Sequence, residues 1–284
     1  MSVGSYRLMG VVNVTPDSFS DGGLYLDADS AIAHGMELAE QGAHILDIGG
    51  ESTRPGANPV DEPTELQRVI PVIAGLAQAL SSTPTPVQIS IDTSKTVVAE
   101  EALRAGATLV NDVTALRFDP SIAGVVATTG ADCCLMHMQG TPRTMQRSPS
   151  YGDVVSEVKS FLEERLSFAV SEGISEERIL LDPGIGFGKT LSHNLTLLSR
   201  LDEIVALGRP VVVGTSRKSF LDAALEKGGA PQARAPEDVL DRRLPGTIAT
   251  NVLALERGAA VFRVHDVAPL AAALAVTAAT LSPT

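Results

Sequence analysis

The chain has 284 residues, 44% of them hydrophobic, which is enough to bury one large core without a second domain. A formal net charge of -12 argues against a nucleic-acid partner, because non-specific binding to phosphates needs clustered Lys and Arg. It also means that any anionic substrate must be held by a local basic site or a metal ion.

Eight short apolar runs, rich in β-branched residues, stop on a polar or glycine-rich segment. Leu8 to Val12 ends at Asn13, Ile45 and Leu46 lead into Asp47 and the string Gly49 to Gly56, and Val87 to Ile91 ends at Asp92. Leu109 and Val110 end at Asn111, Cys133 to Met136 at His137, and Ile179 to Leu181 at Asp182. Val211 to Val213 open onto Gly214 to Lys218, and Ala260 to Val264 carry Arg263 and stop at His265. Helical stripes fall between the runs: Ile32, Met36 and Ala39; Val154, Val158, Phe161, Leu162, Leu166 and Ala169; Ile248, Val252 and Leu255. Gly42, Gly106, Gly173, Gly208 and Gly258 mark helix ends.

Apolar runs separated by helices imply a parallel sheet buried on both faces. An open doubly wound sheet is the alternative, but eight units in 284 residues favour closure. The predicted class is therefore α/β, a (β/α)8 TIM barrel forming a single domain over 1–284, with all eight stops at the ligand-binding end. Lys227 to Asp238 reads as a mobile surface excursion, and the tail after about Thr277 as frayed. Cys133 and Cys134 point to opposite faces of a strand and read as buried structural thiols. Leu8 to Val12 is too short for a signal-peptide core or a membrane span, so a cytoplasmic location is expected.

The segment Pro183 to Thr190 invites a phosphate-loop reading but has Pro183 where the pattern needs glycine, and Lys189 where a dinucleotide motif needs its third. Its glycines instead suit close approach of backbone to a flat ligand, with Asp182 pointing into the pocket; a plain tight turn is the alternative. The polar loops at 10–23 and 49–56 suit a mobile anion or metal-phosphate lid, or else are solvated loops. Arg54 favours the lid reading for the second, as a bidentate oxyanion binder in an acidic chain.

Asp92, Asn111 and Asp182 end strands three, four and six, and together could accept the N–H donors of a pterin or guanine edge. Asp92 alone reads equally well as a helix N-cap. Lys218 adds a cation beside a helix N-terminus, and Arg263 and His265 share one side of the last strand. His137 has no partner at ligand spacing and reads as a hydrogen-bonded structural histidine.

From Met9 to about Val267 these strings resemble the dihydropteroate synthase family, folate-pathway enzymes inhibited by sulfonamides. The motifs are NVTPDSFSDGG at 13–23, GGESTRPGA at 49–57, SIDT at 90–93, NDV at 111–113, LMHMQGTPRTMQ at 135–146, LDPGIGFGK at 181–189, GTSRKSF at 214–220, LPGT at 244–247 and RVHDV at 263–267. The resemblance implies condensation of (7,8-dihydropterin-6-yl)methyl diphosphate with 4-aminobenzoate, using Mg2+, in a cytoplasmic homodimer. It places the pterin on Asp92, Asn111, Asp182 and Lys218 with Arg263 stacked against it, and gives Lys218, Asp182 and Arg263 the catalytic role. Diphosphate falls to Asn13, Thr53, Arg263 and His265, with Asn13 also the metal contact. Arg54, Pro55, Phe187, Lys218 and Ser219 form the aminobenzoate site. A dissociative route follows, with diphosphate leaving before the arylamine attacks and no strong general base. The chain departs from the family at Thr114-Ala115-Leu116, where Ser-Gly-Gly is expected in many members, and in its long loop seven. A pterin-binding methyltransferase barrel and an inactive pterin-binding paralogue are the competing readings.

Overall fold

The computed structural model describes residues 6–15, 28–54, 56–230 and 238–282, the side chains of 238–241 excepted. All eight apolar runs are strands: β1 (Arg7–Asn13), β2 (Ile45–Gly49), β3 (Gln88–Asp92), β4 (Leu109–Asp112), β5 (Asp132–Met136), β6 (Ile179–Asp182), β7 (Val212–Val213) and β8 (Val261–Val264). They pair in parallel in the order β6-β5-β4-β3-β2-β1-β8-β7. A parallel bridge between Leu181 and Val211, with Leu181 N donating to the Pro210 carbonyl at 3.0 Å, joins the two ends. The sheet is therefore a barrel, sealed most thinly between β6 and β7.

The helices are α1 (Ala28–Glu40), α2 (Glu62–Leu80), α3 (Thr96–Ala105), α4 (Ile122–Thr129), α5 (Val154–Ser171), α6 (Leu191–Ser199), α7 (Leu201–Val205), α8 (Phe220–Lys227), α9 (Asp238–Glu256) and α10 (Val267–Leu281). The glycines read as helix ends follow α1, α3, α5, α7 and α9. Two stripes are offset from the deepest rows. In α1 the buried row is Ala31, Gly35 and Leu38, while Ile32 reaches sideways to α2, its Cδ1 2.2 Å from where a Cβ on Gly75 would stand. In α9 the deepest positions include polar Thr247 and Asn251, because Asn251 Nδ2 donates to Thr215 Oγ1 at 2.9 Å. The C-terminal tail is also not frayed from Thr277: α10 continues to Leu281, packed on α9 and β1. Most of the loop-seven excursion falls at 231–237, outside the described residues. Among the described residues no helix is long and apolar enough to cross a membrane.

Alternation along the strands sorts the interior into two zones. Met9, Ile45, Leu109, Cys134, Leu180, Val212, Ala260 and Val261 form an apolar plug inside the barrel. Cys133 sits on the other face, in the layer between sheet and helices, as expected for adjacent strand residues. Further along β2, β3 and β4 the inward positions turn polar: Asp47 pairs in register with Ser90, and Asp92 with Asn111, while Val11 of β1 beside Asp47 stays apolar. The plug closes one end, so chemistry is confined to the other.

Candidate active site

Arg263 is the hub of the polar zone. Its Nε donates to Asp47 Oδ2 at 2.5 Å and its Nη2 to Asp92 Oδ2 at 2.7 Å. Asp47 is fully buried and also accepts from Ser90 Oγ at 2.6 Å and Asn111 Nδ2 at 3.1 Å. Burial pushes the Asp92 carboxyl up, the ion pair with Arg263 opposes that shift, and the neighbouring Asp47 adds to it. Arg263 itself is held charged: the carboxylates of Asp47 and Asp92 overcome its desolvation. The alternative of Asp92 as an N-cap is set aside, since Lys95 occupies that position for α3.

On the opposite wall, the turn after β6 is built by close backbone contact. Asp182 Oδ1 accepts from Gly184 N at 2.6 Å, and burial raises the Asp182 carboxyl against the pull of Lys218. Gly184, at φ 65°, stands so close to β5 that a Cβ would lie 1.8 Å from the His137 carbonyl oxygen. Lys189, 3% exposed, turns back beneath this loop. Its Nζ meets His137 Nδ1 at 2.9 Å and donates to the carbonyls of Gly184 at 2.9 Å and Phe187 at 3.0 Å. His137 is thus a buried, hydrogen-bonded residue, pulled down to about 2 by burial and by the Lys189 and Arg117 cations. Above it, Lys218 donates to the Ile185 carbonyl and lies 4.5 Å from the centre of the Phe187 ring. Burial lowers Lys218 to about 8, with Asp182 opposing the shift.

Asn13, Thr53 and His265 come from β1, the β2–α2 loop and the end of β8. The Ser216 hydroxyl accepts the backbone N–H of His265 at 3.2 Å and lies 3.0 Å from Nδ1 of its ring. It is placed to give its own hydrogen to Nδ1, which assigns the ring hydrogen to Nε2. Burial, Arg217 and Arg263 hold His265 neutral, down at about 3. The second loop is braced from behind: Lys95 bridges Glu51 and the buried Glu65, and Arg68 donates to the Gly50 carbonyl at 2.7 Å. Gly56 N reaches the Pro142 carbonyl at 3.2 Å, tying this loop to the one after β5. Pro55 and residues 16–27 of the first loop lie outside the described residues.

A cavity of about 770 Å3 opens among these groups, lined by Asn13, Thr53, Arg54, Asp92, Phe187, Lys218, Ser219, Arg263 and His265. Asn111 and Asp182 do not line it; both are buried in the barrel, Asn111 against Asp47 and Asp182 within electrostatic reach of Lys218 and Arg263. A larger groove of about 960 Å3 runs between α3 and α4 and reaches the N-terminal ends of β3 and β5, away from these groups. The smaller cavity carries the converging charges and fits the chemistry.

The pterin-binding enzyme family matches residues 9–265. The dihydropteroate synthase of Escherichia coli K12 is 45% identical over 276 residues, 97% of this chain and 92% of that protein. The chain belongs to the dihydropteroate synthase family. Its fold agrees with that of Xanthomonas albilineans dihydropteroate synthase solved with 4-aminobenzoic acid, at a TM-score of 0.87 and 44% identity over 100% of this chain and 96% of that one. The same enzyme in complex with 7,8-dihydropteroate gives a TM-score of 0.83 at 40% identity, covering 100% and 97% of the two chains.

Two residues of this polar region are not legible as such from sequence. Asp47 interrupts an apolar strand, and a carboxylate inside a buried run was the available signal. Lys189 shows in the sequence as the residue that spoils a glycine motif and as the end of the string LDPGIGFGK at 181–189. At the departure Thr114-Ala115-Leu116, Ala115 and Leu116 take φ of 54° and 61°, where glycine would be unstrained. Asp112 accepts from Leu116 N at 2.7 Å and Arg165 Nε donates to the Ala115 carbonyl at 2.8 Å, holding the turn behind Asn111.

Proposed function

We propose that this chain is a dihydropteroate synthase, joining (7,8-dihydropterin-6-yl)methyl diphosphate to 4-aminobenzoate with release of diphosphate. The observation that carries the reading is Arg263 clamped by Asp47 and Asp92 across a cavity that also receives Lys218 and His265. Asp92, Asn111 and Asp182 supply acceptors for the N–H edge of the pterin, and Lys218 a donor. Nε and Nη2 of Arg263 are engaged, so a ligand meets its Nη1 edge and its planar face. The neutral His265, with Nε2–H outward from Ser216, suits a diphosphate oxygen, alongside Asn13 and Thr53. Arg54, Pro55, Phe187, Lys218 and Ser219 form the aminobenzoate end.

The C–O bond breaks with its electron pair leaving on diphosphate, and the dihydropterin ring delocalises the positive charge on carbon. Asp92 and Asp182 suit that charge, and Arg263 and His265 suit the departing anion. The amine nitrogen then bonds to carbon and loses its proton to water or diphosphate. Mg2+ would neutralise charge on the diphosphate. Asn13 fits such an ion, because Mg2+ keeps waters and substrate oxygens and needs few protein ligands. Among the described residues no cluster of three His, Cys, Asp or Glu side chains is placed to hold a metal. A homodimer in the cytoplasm completes the reading.

Formation of 7,8-dihydropteroate by the purified chain, with Mg2+ present or removed by chelation, is the test. No product in either condition would sink the assignment; product independent of metal would remove Mg2+ from it.

A further inference from the structure

We propose that Asp47 is a positioning residue for the pterin reaction, setting the orientation of Asn111 and Arg263 from the side away from the ligand. The inference rests on the pterin reading of this site. Asp47 is fully buried on β2, and its two oxygens collect donors from three other strands: Ser90 of β3, Asn111 of β4 and Arg263 of β8.

A carboxamide can turn either its oxygen or its NH2 toward a ligand, and sterics hardly distinguish the two. A carboxylate only accepts. By drawing Nδ2 of Asn111 to 3.1 Å, Asp47 leaves Oδ1 as the atom Asn111 offers to anything else. Asn111 is thereby fixed as an acceptor, the polarity that a pterin N–H edge requires. The same Oδ2 takes Arg263 Nε at 2.5 Å while Asp92 takes Nη2 at 2.7 Å, so two carboxylates on adjacent strands fix the guanidinium plane. Ser90 Oγ at 2.6 Å from Oδ1 completes the set and holds the Asp47 carboxylate in turn. Neither Asp47 nor Asn111 lines the cavity, and Arg263 does, so the influence of Asp47 on a ligand passes directly through Arg263 and through the small exposed part of Asn111.

Asp47→Asn tests this without changing size. Its new NH2 no longer requires the Asn111 amine to face it, so Asn111 can reverse. Calorimetric titration with 6-hydroxymethylpterin is measured beside steady-state kinetics in both substrates. Wild type must bind the pterin; if it does not, the pocket reading itself falls, and the inference with it. Given that binding, Asp47→Asn is expected to weaken pterin affinity about tenfold or more and raise the KM for the dihydropterin diphosphate equally. The KM for 4-aminobenzoate should move less than about threefold, because no residue assigned to that end touches Asp47.

Pterin affinity within about twofold of wild type in folded Asp47→Asn would overturn the orienting role. If Asp47→Asn does not fold, Ser90→Ala decides, since it removes only the donor that steadies Oδ1. Weaker pterin binding at unchanged aminobenzoate KM then supports the proposal, and unchanged pterin binding overturns it.

Discussion

Lys189 Nζ and His137 Nδ1 meet at 2.9 Å in the protein interior, joining the end of β5 to the loop that follows β6. With the Gly184 and Phe187 carbonyls, three polar groups surround the Lys189 nitrogen, whose burial pulls its pKa well down against the attraction of Asp182. The same loop offers Lys218 the Ile185 carbonyl and the Phe187 ring. A lysine held almost wholly within the loop therefore shapes the surroundings of Lys218 in the same cavity.

Lys189→Met keeps the length of the side chain and removes all three donors. Leaving buried acceptors unpaired is expected to cost about 3 kcal/mol of unfolding free energy, read from urea titration. Phe187 and Lys218 lose their support together, so the KM for 4-aminobenzoate should rise severalfold. A variant with wild-type stability and kinetics would remove Lys189 from this account.

His137 sets an acid limit on stability. Its folded value is pulled down to about 2, so between there and the ordinary histidine value the unfolded chain binds a proton that the folded chain does not. Its contribution is complete above the ordinary value and is lost as pH falls toward the folded one. His137→Gln keeps an acceptor but cannot titrate. The drop in unfolding free energy from pH 7 to pH 5 should shrink by about 2 kcal/mol in that variant.

Gly184→Ala should disable the β6 loop. The added Cβ would stand 1.8 Å from the His137 carbonyl oxygen, at a φ of 65° that alanine already disfavours. Backbone on both sides leaves little room to yield, and a loss of at least about 3 kcal/mol is expected, with activity falling alongside. Thermal melts and the dihydropteroate assay measure the two effects.

Aminobenzoate affinity should weaken as pH rises through about 8, where Lys218 gives up its charge. The ligand stays anionic over that range, so the fall reports the protein. Lys218→Arg stays protonated throughout and should flatten the alkaline limb even if binding is weaker overall. A limb of the same shape in both proteins would exclude Lys218 as its cause.

Arg165→Met should loosen the turn behind Asn111. Arg165 is buried, and its Nε is the donor to the carbonyl of the left-handed Ala115. Losing a charged donor to a strained turn is expected to cost about 2 kcal/mol, measurable by denaturant unfolding. If stability is unchanged, Asp112 alone holds the turn.

The alternation of short apolar runs with helical stripes was sufficient for the barrel and for the end of it that carries chemistry, because strand and helix periodicities are local. Part of the cavity lining, including Asp92, Lys218, Arg263 and His265, is legible too, since each of these sits at a strand end or in a distinctive loop, whereas Met145, Gln146 and Arg243 carry no such signal. Two helical stripes were read off-centre for a related reason. Periodicity finds a face, but whether that face meets the sheet or a neighbouring helix depends on packing, as Ile32 against Gly75 illustrates.

What sequence could not supply was the pairing beneath the site. Arg263 and Asp47 are 216 positions apart, and Lys189 and His137 are 52 apart. In the sequence, Asp47 is one carboxylate in an apolar strand and Lys189 a misplaced letter in a glycine motif. Composition, periodicity and local motifs determined the scaffold and several of the groups that line the cavity, because those depend on neighbours along the chain. Which buried charge answers which was decided only by closure of the barrel, when desolvation made each of those ionic groups need a partner from a distant strand.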